Sequence, residues 1–315
     1  MIGASRMDLA ILLALAASLC TATSSVCQRL GARHLERDDG SQVRGFDAWL
    51  VFRLARQPAW LLGFGCMIAG FAFQVSALRF GPLALVQPIL AVELLFVFGY
   101  LTWRTRAGRA RWREWGAAVA MSAGISVFLG AAAPSGGREH APASLWWLSG
   151  AAALAAVALA VAASAGRTPP RRAACLGIAT GIAWGFTAAV IKELSSHVSG
   201  GPAAIFTNWS VYVLAVVGAA AMLLTSHAMA AGPLAASQPG FTIGDPVTAV
   251  LLGAFLFNER LGTSPGDLAA EVLGLTVLAA GVAILSGSRL ITADQAEAGP
   301  PPGERAQREP AGRAR

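Results

Sequence analysis

Nine stretches of roughly 20 residues, nearly free of charge, follow one another along the chain: 8–29, 58–80, 82–103, 114–133, 144–166, 173–194, 203–230, 233–257 and 267–288. Each is long enough to cross a ~30 Å hydrocarbon core as an α-helix. The pattern predicts an all-α, polytopic membrane protein of about nine transmembrane helices. The first stretch is not a cleaved signal peptide, because it lacks a basic n-region followed by a small-residue cleavage site and eight more spans follow. Segment 43–57 is too short and too charged to span. Its Trp49, Phe52 and Leu54, set among Arg44, Arg53 and Arg56, suit a helix lying at the inner membrane surface. The tail 289–315, rich in Pro, Gly, Glu and Arg without an apolar face, is expected to be disordered.

Two of the spans open alike. Gly81-Pro82-Leu83-Ala84-Leu85-Val86-Gln87-Pro88 returns as Gly232-Pro233-Leu234-Ala235-Ala236-Ser237-Gln238-Pro239, with six of eight positions identical. Further along, Trp103-Arg104-Thr105-Arg106-Ala107-Gly108 matches the position of Phe257-Asn258-Glu259-Arg260-Leu261-Gly262, and Arg29 and His34 match Lys192 and His197. The chain therefore divides into a first transmembrane repeat (8–133), a connector (134–172, with helix 144–166), a second repeat (173–288) and the tail 289–315. Each repeat has four spans, so one connecting span inverts the second repeat relative to the first. Duplicated inverted halves are the common plan of secondary transporters, with the site at their interface.

Charge adds sidedness. When loops are assigned alternately to two sides, 19 of the 24 Arg and Lys residues fall on one side. The other side receives only Arg6, Arg79, Arg138, Lys192 and Arg260. Short basic loops stay in the cytoplasm, so the N-terminus is expected outside and the C-terminus inside. The count agrees with the inversion, since loop 104–113 falls inside and its repeat mate 258–266 outside. The net charge of +7 thus reports topology rather than nucleic-acid binding. Hydrophobic residues make up 55 % and charged residues 13 % of the chain, and Lys192 is its one lysine, a composition that suggests a GC-rich bacterial genome and an inner-membrane location. Cys20, Cys27, Cys66 and Cys175 all lie in spans, as small packing residues rather than a disulfide framework.

Trp184-Gly185 with Lys192, and Phe257-Asn258-Glu259-Arg260-Leu261-Gly262, resemble signatures of the drug/metabolite transporter superfamily, EamA-like, over roughly residues 8–288. Members of that superfamily ordinarily have ten spans. The nine-span, N-out layout is similar to its magnesium-transporter-like branch, the NIPA family. The resemblance implies a multi-pass transporter that works by alternating access. One departure is that Thr105 stands where the second half has Glu259, so any role of that glutamate is not symmetric.

Two carboxylates lie mid-span. Glu93 is near the centre of 82–103 and Asp245 near the centre of 233–257, one position out of repeat register. An acid at helix centre costs about 2.5–3.5 kcal/mol on insertion scales, and such residues usually mark pathways. Their plainer role would be to pin helices as protonated, hydrogen-bonded groups. Pro88, Pro239 and Pro246 each remove a helix donor. They would free the carbonyls of Ala84, Ala235 and Thr242, which with the Gln87 and Gln238 amides would make an oxygen-rich pocket. Plain kinks satisfied by neighbouring helices are as good a reading of the prolines alone. Trp184 and Phe241 are candidate pocket-lining aromatics. Gly177, Gly181 and Gly185 recur on one face, the small-residue pattern for close helix approach. Lys192 and Glu193 stand at the outer span end, where snorkelling to the headgroups is expected and gating is the sharper alternative. The four histidines, His34, His140, His197 and His227, show no metal-ligand spacing and receive no role.

No phosphate-cradling Gly-rich loop with Lys and no Gly-x-Ser-x-Gly or His-Glu-x-x-His motif occurs, so no enzymatic activity and no cofactor are expected. Two acids without a mid-membrane base favour a cation, an amine, or proton coupling to a neutral or zwitterionic solute. The expected function is a secondary transporter of a small organic solute, proton-coupled through Glu93 or Asp245. The alternatives are a divalent-cation (magnesium) permease, with Glu93 and Asp245 as metal ligands, and a non-transporting membrane scaffold. Expected partners are the solute or cation and the lipid bilayer, not nucleic acid. The oligomeric state is open, a homodimer being one option.

Overall fold

The computed structural model describes residues 2–39, 56–104, 112–133, 136–232, 234–262 and 264–286. The described residues form α1 (Ile2–Asp39), α2 (Pro58–Phe80), α3 (Leu83–Leu90), α4 (Glu93–Arg104), α5 (Trp112–Ala132), α6 (Ala143–Ser164), α7 (Pro169–Ser195), α8 (Gly201–Thr207), α9 (Trp209–Ala230), α10 (Leu234–Phe257) and α11 (Pro265–Ser286), with no β-strand among them. Nine helical segments among these residues are long and apolar enough to cross a membrane, α3 and α4 together forming one crossing from Leu83 to Tyr100. The protein is an all-helical polytopic membrane protein, as the hydrophobic pattern predicts. Helices suit that setting because every mid-helix backbone donor and acceptor is satisfied within the segment. The surface helix expected over 43–57 lies outside the described residues except for Arg56 and Gln57, and so does the whole tail 289–315.

Helix ends follow local chemistry. Pro58 and Pro169 open α2 and α7, where a missing N–H costs nothing. Ser264 and Asp267 cap α11 reciprocally: Ser264 Oγ accepts the Asp267 N–H at 3.1 Å, and Asp267 Oδ2 accepts the Ser264 N–H at 3.2 Å. The span expected over 203–230 is shorter than its apolar run. Asn208 ends α8 and caps α9, its Oδ1 accepting the Ser210 N–H at 2.9 Å, so the crossing runs from Trp209 to Met229.

Large apolar side chains cover the periphery, as lipid-facing surface requires. Leu61, Leu62 and Ile68 of α2, Leu148, Leu154 and Leu159 of α6, and Tyr212, Val216 and Leu223 of α9 are all exposed. Inside, two larger apolar cores and a smaller one share the bundle, the smaller joining Ala84 of α3 to Phe128 and Ala132 of α5 and Val250 of α10. One larger core gathers Leu83, Leu85, Val86 and Ile89 of α3 with Ala188–Ile191 of α7, Leu252, Leu256 and Phe257 of α10, and Trp146 of α6. The other gathers Val97 and Phe98 of α4 with Ala22 of α1, Met121 and Ile125 of α5, and Leu278, Val282 and Leu285 of α11. The interrupted crossing α3–α4 is thus divided mainly between the two larger cores.

Glycine sets the closest approaches. A Cβ at Gly124 would stand 2.5 Å from the Leu278 nitrogen, and one at Gly281 2.7 Å from Met121 Cγ. A Cβ at Gly274 would stand 2.6 Å from the Phe128 nitrogen. Residues rising along α5 therefore meet residues falling along α11, and these two helices cross antiparallel. On α7 the expected glycine face packs on α10. Gly177 lies against the Ser237 carbonyl, a Cβ at Gly181 would sit 2.7 Å from Gly244 Cα, and one at Gly185 would sit 2.6 Å from Thr248 Cβ. There both numbers rise together, so α7 and α10 run parallel.

Candidate functional site

The two Gln-Pro copies behave differently. After Pro88, α3 stops at Leu90, and a turn at Ala91–Val92 precedes α4. The chain there switches to tighter i→i−3 bonds, Ala91 N–H to Pro88 O at 3.3 Å and Val92 N–H to Ile89 O at 3.0 Å. By contrast, α10 runs unbroken for 24 residues through Pro239 and Pro246. The expectation of broken helices in both halves is therefore corrected: only the first copy is interrupted. The physical reason is support, since α10 is held along its length by the glycine face of α7, which α3 lacks.

The break places Glu93 in the first turn of α4. Ser25 Oγ of α1 donates to Glu93 Oε1 at 3.2 Å. Asp245 packs on α7, its nitrogen and carbonyl being among the atoms closest to Gly181 and Gly185. Each acid thus rests against the opening helix of its own half. Their depths agree. The start of α3 is level with the end of α10, because Glu259, two residues beyond α10, accepts the Leu83 and Ala84 N–H groups at 2.6 and 3.0 Å. At about 1.5 Å per residue, Glu93 lies roughly 15 Å from that end and Asp245 roughly 18 Å, near the middle of a ~30 Å core.

Two polar atoms on these two crossings lack a protein partner, Asp245 at this level and Gln87 about 6 Å from the Glu259 end. Gln87 Nε2 and Asp245 Oδ1 are buried without a hydrogen bond among the described residues. A buried polar atom left unpaired costs about 1–3 kcal/mol, so such atoms call for an explanation. Other expected site residues fall nearby on α10: Phe241 and Thr242 are half-buried, and Pro246 is buried. The side chains of Gln238 and Pro239 lie outside the described ones. Trp184 turns instead to α9, where its Nε1–H donates to Thr225 Oγ1 at 3.0 Å.

The end level with Glu259 holds an arrangement the sequence concealed. Lys192 and Glu259 are both buried and paired, Nζ to Oε1 at 3.2 Å. Lys192 Nζ also donates to the Gly81 carbonyl at 2.9 Å and lies 5.4 Å from the Phe257 ring centroid. Snorkelling of Lys192 is thereby corrected. Its ammonium points into the bundle because a carboxylate and a turn carbonyl are there to receive it. Glu259 serves as the N-cap that Gly81-Pro82-Leu83 cannot supply for itself, and its charge suits a helix N-terminus. A cavity of about 570 Å³ opens beside this cluster, lined by Arg6, Arg79, Arg138, Glu139, Lys192 and Ser196 among others. Four of the five basic residues that loop alternation sets apart therefore meet at one end of the bundle. The histidines are not all scattered either, since the rings of His140 and His197 lie 4.8 Å apart at this end.

A protein of Corynebacterium glutamicum, described only as uncharacterized, is 27 % identical over 284 residues, covering 88 % of this chain and 94 % of its own length. No family model matches the chain. No solved structure matches it.

Proposed function

We propose that the chain is a secondary transporter that moves a small organic solute by alternating access between two inverted four-helix repeats, 8–133 and 173–288. The observation that carries this reading is the helix break at Ala91–Val92, with Glu93 in the turn that follows it and the buried, unpartnered Asp245 Oδ1 at a similar depth. A site meant to receive and release a ligand leaves donors and acceptors open, whereas a structural network closes them. Glu93 at the break supplies a second carboxylate, so a cationic, amine-bearing or proton-exchanged solute fits best. The antiparallel meeting of repeat-equivalent helices, α5 with α11 and α3 with α10, supports the inversion. So does the resemblance to the drug/metabolite transporter superfamily. In this scheme Glu259 and Lys192 close one end, and access from that end requires Glu259 to release the start of α3. The arginine bias puts that end outside a bacterial inner membrane.

The same two acids also suit a hydrated divalent cation, because Mg²⁺ keeps several waters and needs only one or two carboxylates. Proteoliposome flux tests both readings. Glu93→Gln and Asp245→Asn keep size and hydrogen-bonding ability but cannot ionise. Each is expected to abolish solute flux driven by a pH gradient while leaving insertion and elution volume unchanged. Mg²⁺ flux that survives Trp184→Ala and Phe241→Ala would favour the cation permease. Wild-type solute flux in both acid variants would remove the transport role of the acids.

A further inference from the structure

A second site lies away from the mid-membrane acids, where α7 ends. Glu193, in the last turn of α7, is buried, and its Oε1 stands 3.0 Å from His140 Nδ1. His140 comes from the segment that leads into α6, and His197 follows α7 directly. One ligand atom from each of His140, Glu193 and His197 falls within 4.8 Å of the others. We propose that these three residues form a binding site for a divalent transition-metal ion of the zinc class.

The donor set fits that class. Two imidazoles and one carboxylate, with a fourth position left to water, make an open zinc site. Ligand bonds of about 2.0–2.1 Å in a tetrahedron put neighbouring ligand atoms roughly 3.3 Å apart. The 3.0 Å between His140 Nδ1 and Glu193 Oε1 is already close to that spacing. His140 is 53 % exposed, which gives an ion an entry path and room for its water.

The residues behind the ligands are also in place. Ala141 N–H donates to Glu193 Oε2 at 3.2 Å, which holds the carboxylate while the other oxygen remains available. Both ring nitrogens of His197 are engaged, Nδ1 3.1 Å from the Glu193 carbonyl and 3.0 Å from Ser196 Oγ, and Nε2 accepting from Asn208 Nδ2 at 2.9 Å, so an ion would take the place of one of these contacts. The Glu193 carbonyl is the kind of acceptor that orients a metal-binding imidazole. Glu193 already faces His140 and the Ala141 N–H, and a bound cation would add a positive charge that favours a buried carboxylate. The ion would tie the end of α7 to the segment that leads into α6. The site is independent of the transport reading, since none of its ligands lies near mid-membrane.

The test is zinc binding by the full-length protein in detergent, purified without a polyhistidine tag and stripped with a chelator. Titration calorimetry with ZnCl₂ is expected to show one site per chain. His140→Ala changes a half-exposed side chain and should leave the fold intact, yet weaken binding by at least roughly ten- to hundred-fold. His227→Ala, at an exposed position on α9, should bind as the wild type does. Co²⁺ should give visible absorption bands of a four-coordinate nitrogen and oxygen site, lost in His140→Ala. Absence of zinc binding in the wild type, or equal binding by His140→Ala, would overturn the proposal.

Discussion

Replacing Glu259 with alanine should be among the most damaging single changes in this protein. The carboxylate accepts from the Leu83 N–H at 2.6 Å, the Ala84 N–H at 3.0 Å and Lys192 Nζ at 3.2 Å. Its side chain is fully buried, and that of Lys192 is 11 % exposed, so water screens the pair little. Removing one partner of a buried pair costs about 3–5 kcal/mol, because the other charge is stranded. Glu259→Ala also uncaps α3, a loss of about 1 kcal/mol that is partly contained in that figure. Lys192→Met should cost less, about 1–3 kcal/mol, since Glu259 keeps two charge-assisted amide bonds. The two changes share one network, so the double variant should be less destabilised than the sum of the singles by about 1–3 kcal/mol. The assay is equilibrium unfolding in mixed detergent micelles. Arg260→Ala is the control, an exposed neighbour expected to stay within about 0.5 kcal/mol of wild type. A Glu259→Ala variant as stable as that control, or strict additivity in the double variant, would refute the reasoning.

Two further outcomes are expected. Gly181→Ala would put a methyl 2.7 Å from the Phe241 carbonyl oxygen and 2.9 Å from the Asp245 nitrogen, so it should destabilise by about 1–3 kcal/mol. Gly65→Ala, with nothing within 4 Å, should leave the melting temperature nearly unchanged, and equal effects of the two would show that the α7–α10 contact is not tight. On a background lacking Cys20, Cys27, Cys66 and Cys175, Arg109→Cys should react with a membrane-impermeant thiol reagent only after permeabilisation, and Arg260→Cys in intact cells. Labelling of both from the same side would end the inverted arrangement.

The spans were legible because hydrophobic length is a direct measure of the bilayer, and Pro58–Phe80 is predicted to the residue. Shorter interruptions were harder to read. Asn208 is a strong cap inside an apolar run, and its effect on α8 and α9 shows only once its side chain bonds Ser210. The mid-membrane acids were legible as isolated charges in long apolar stretches. Which Gln-Pro copy breaks its helix was not, because both copies carry nearly the same residues and the difference lies in the neighbouring glycine face of α7. The Lys192–Glu259 pair left one unused clue. Gly81-Pro82-Leu83 begins a helix with no Ser, Thr, Asp or Asn at its start, so an acceptor had to come from elsewhere. The His140, Glu193 and His197 set left none, since its members come from two segments 53 residues apart that meet only in the folded bundle.

The asymmetry between the halves bears on how access would alternate. Strictly symmetric inverted repeats would present equivalent closures at both ends. Here Glu259 caps α3 at one end, while its repeat mate is Thr105, a neutral side chain unable to provide a charged cap. The interrupted crossing is likewise confined to the first half, where most of α3 packs in one core and α4 in the other, with Ala84 of α3 also set against α5. In the proposed alternating-access scheme, a break at Ala91–Val92 would let α3 tilt away from α10 while α4 keeps its packing with α5 and α11. In the second half α7 is fixed on α10 by three glycine contacts, so the two helices would move together. In that scheme the moving part at the Glu259 end would be α3, the turn at Ala91–Val92 its hinge, and Glu93 the first side chain past it. Coupling follows from that placement. A change in what Glu93 holds would then act on the hinge itself, and the latch that the hinge would have to release is the carboxylate of Glu259.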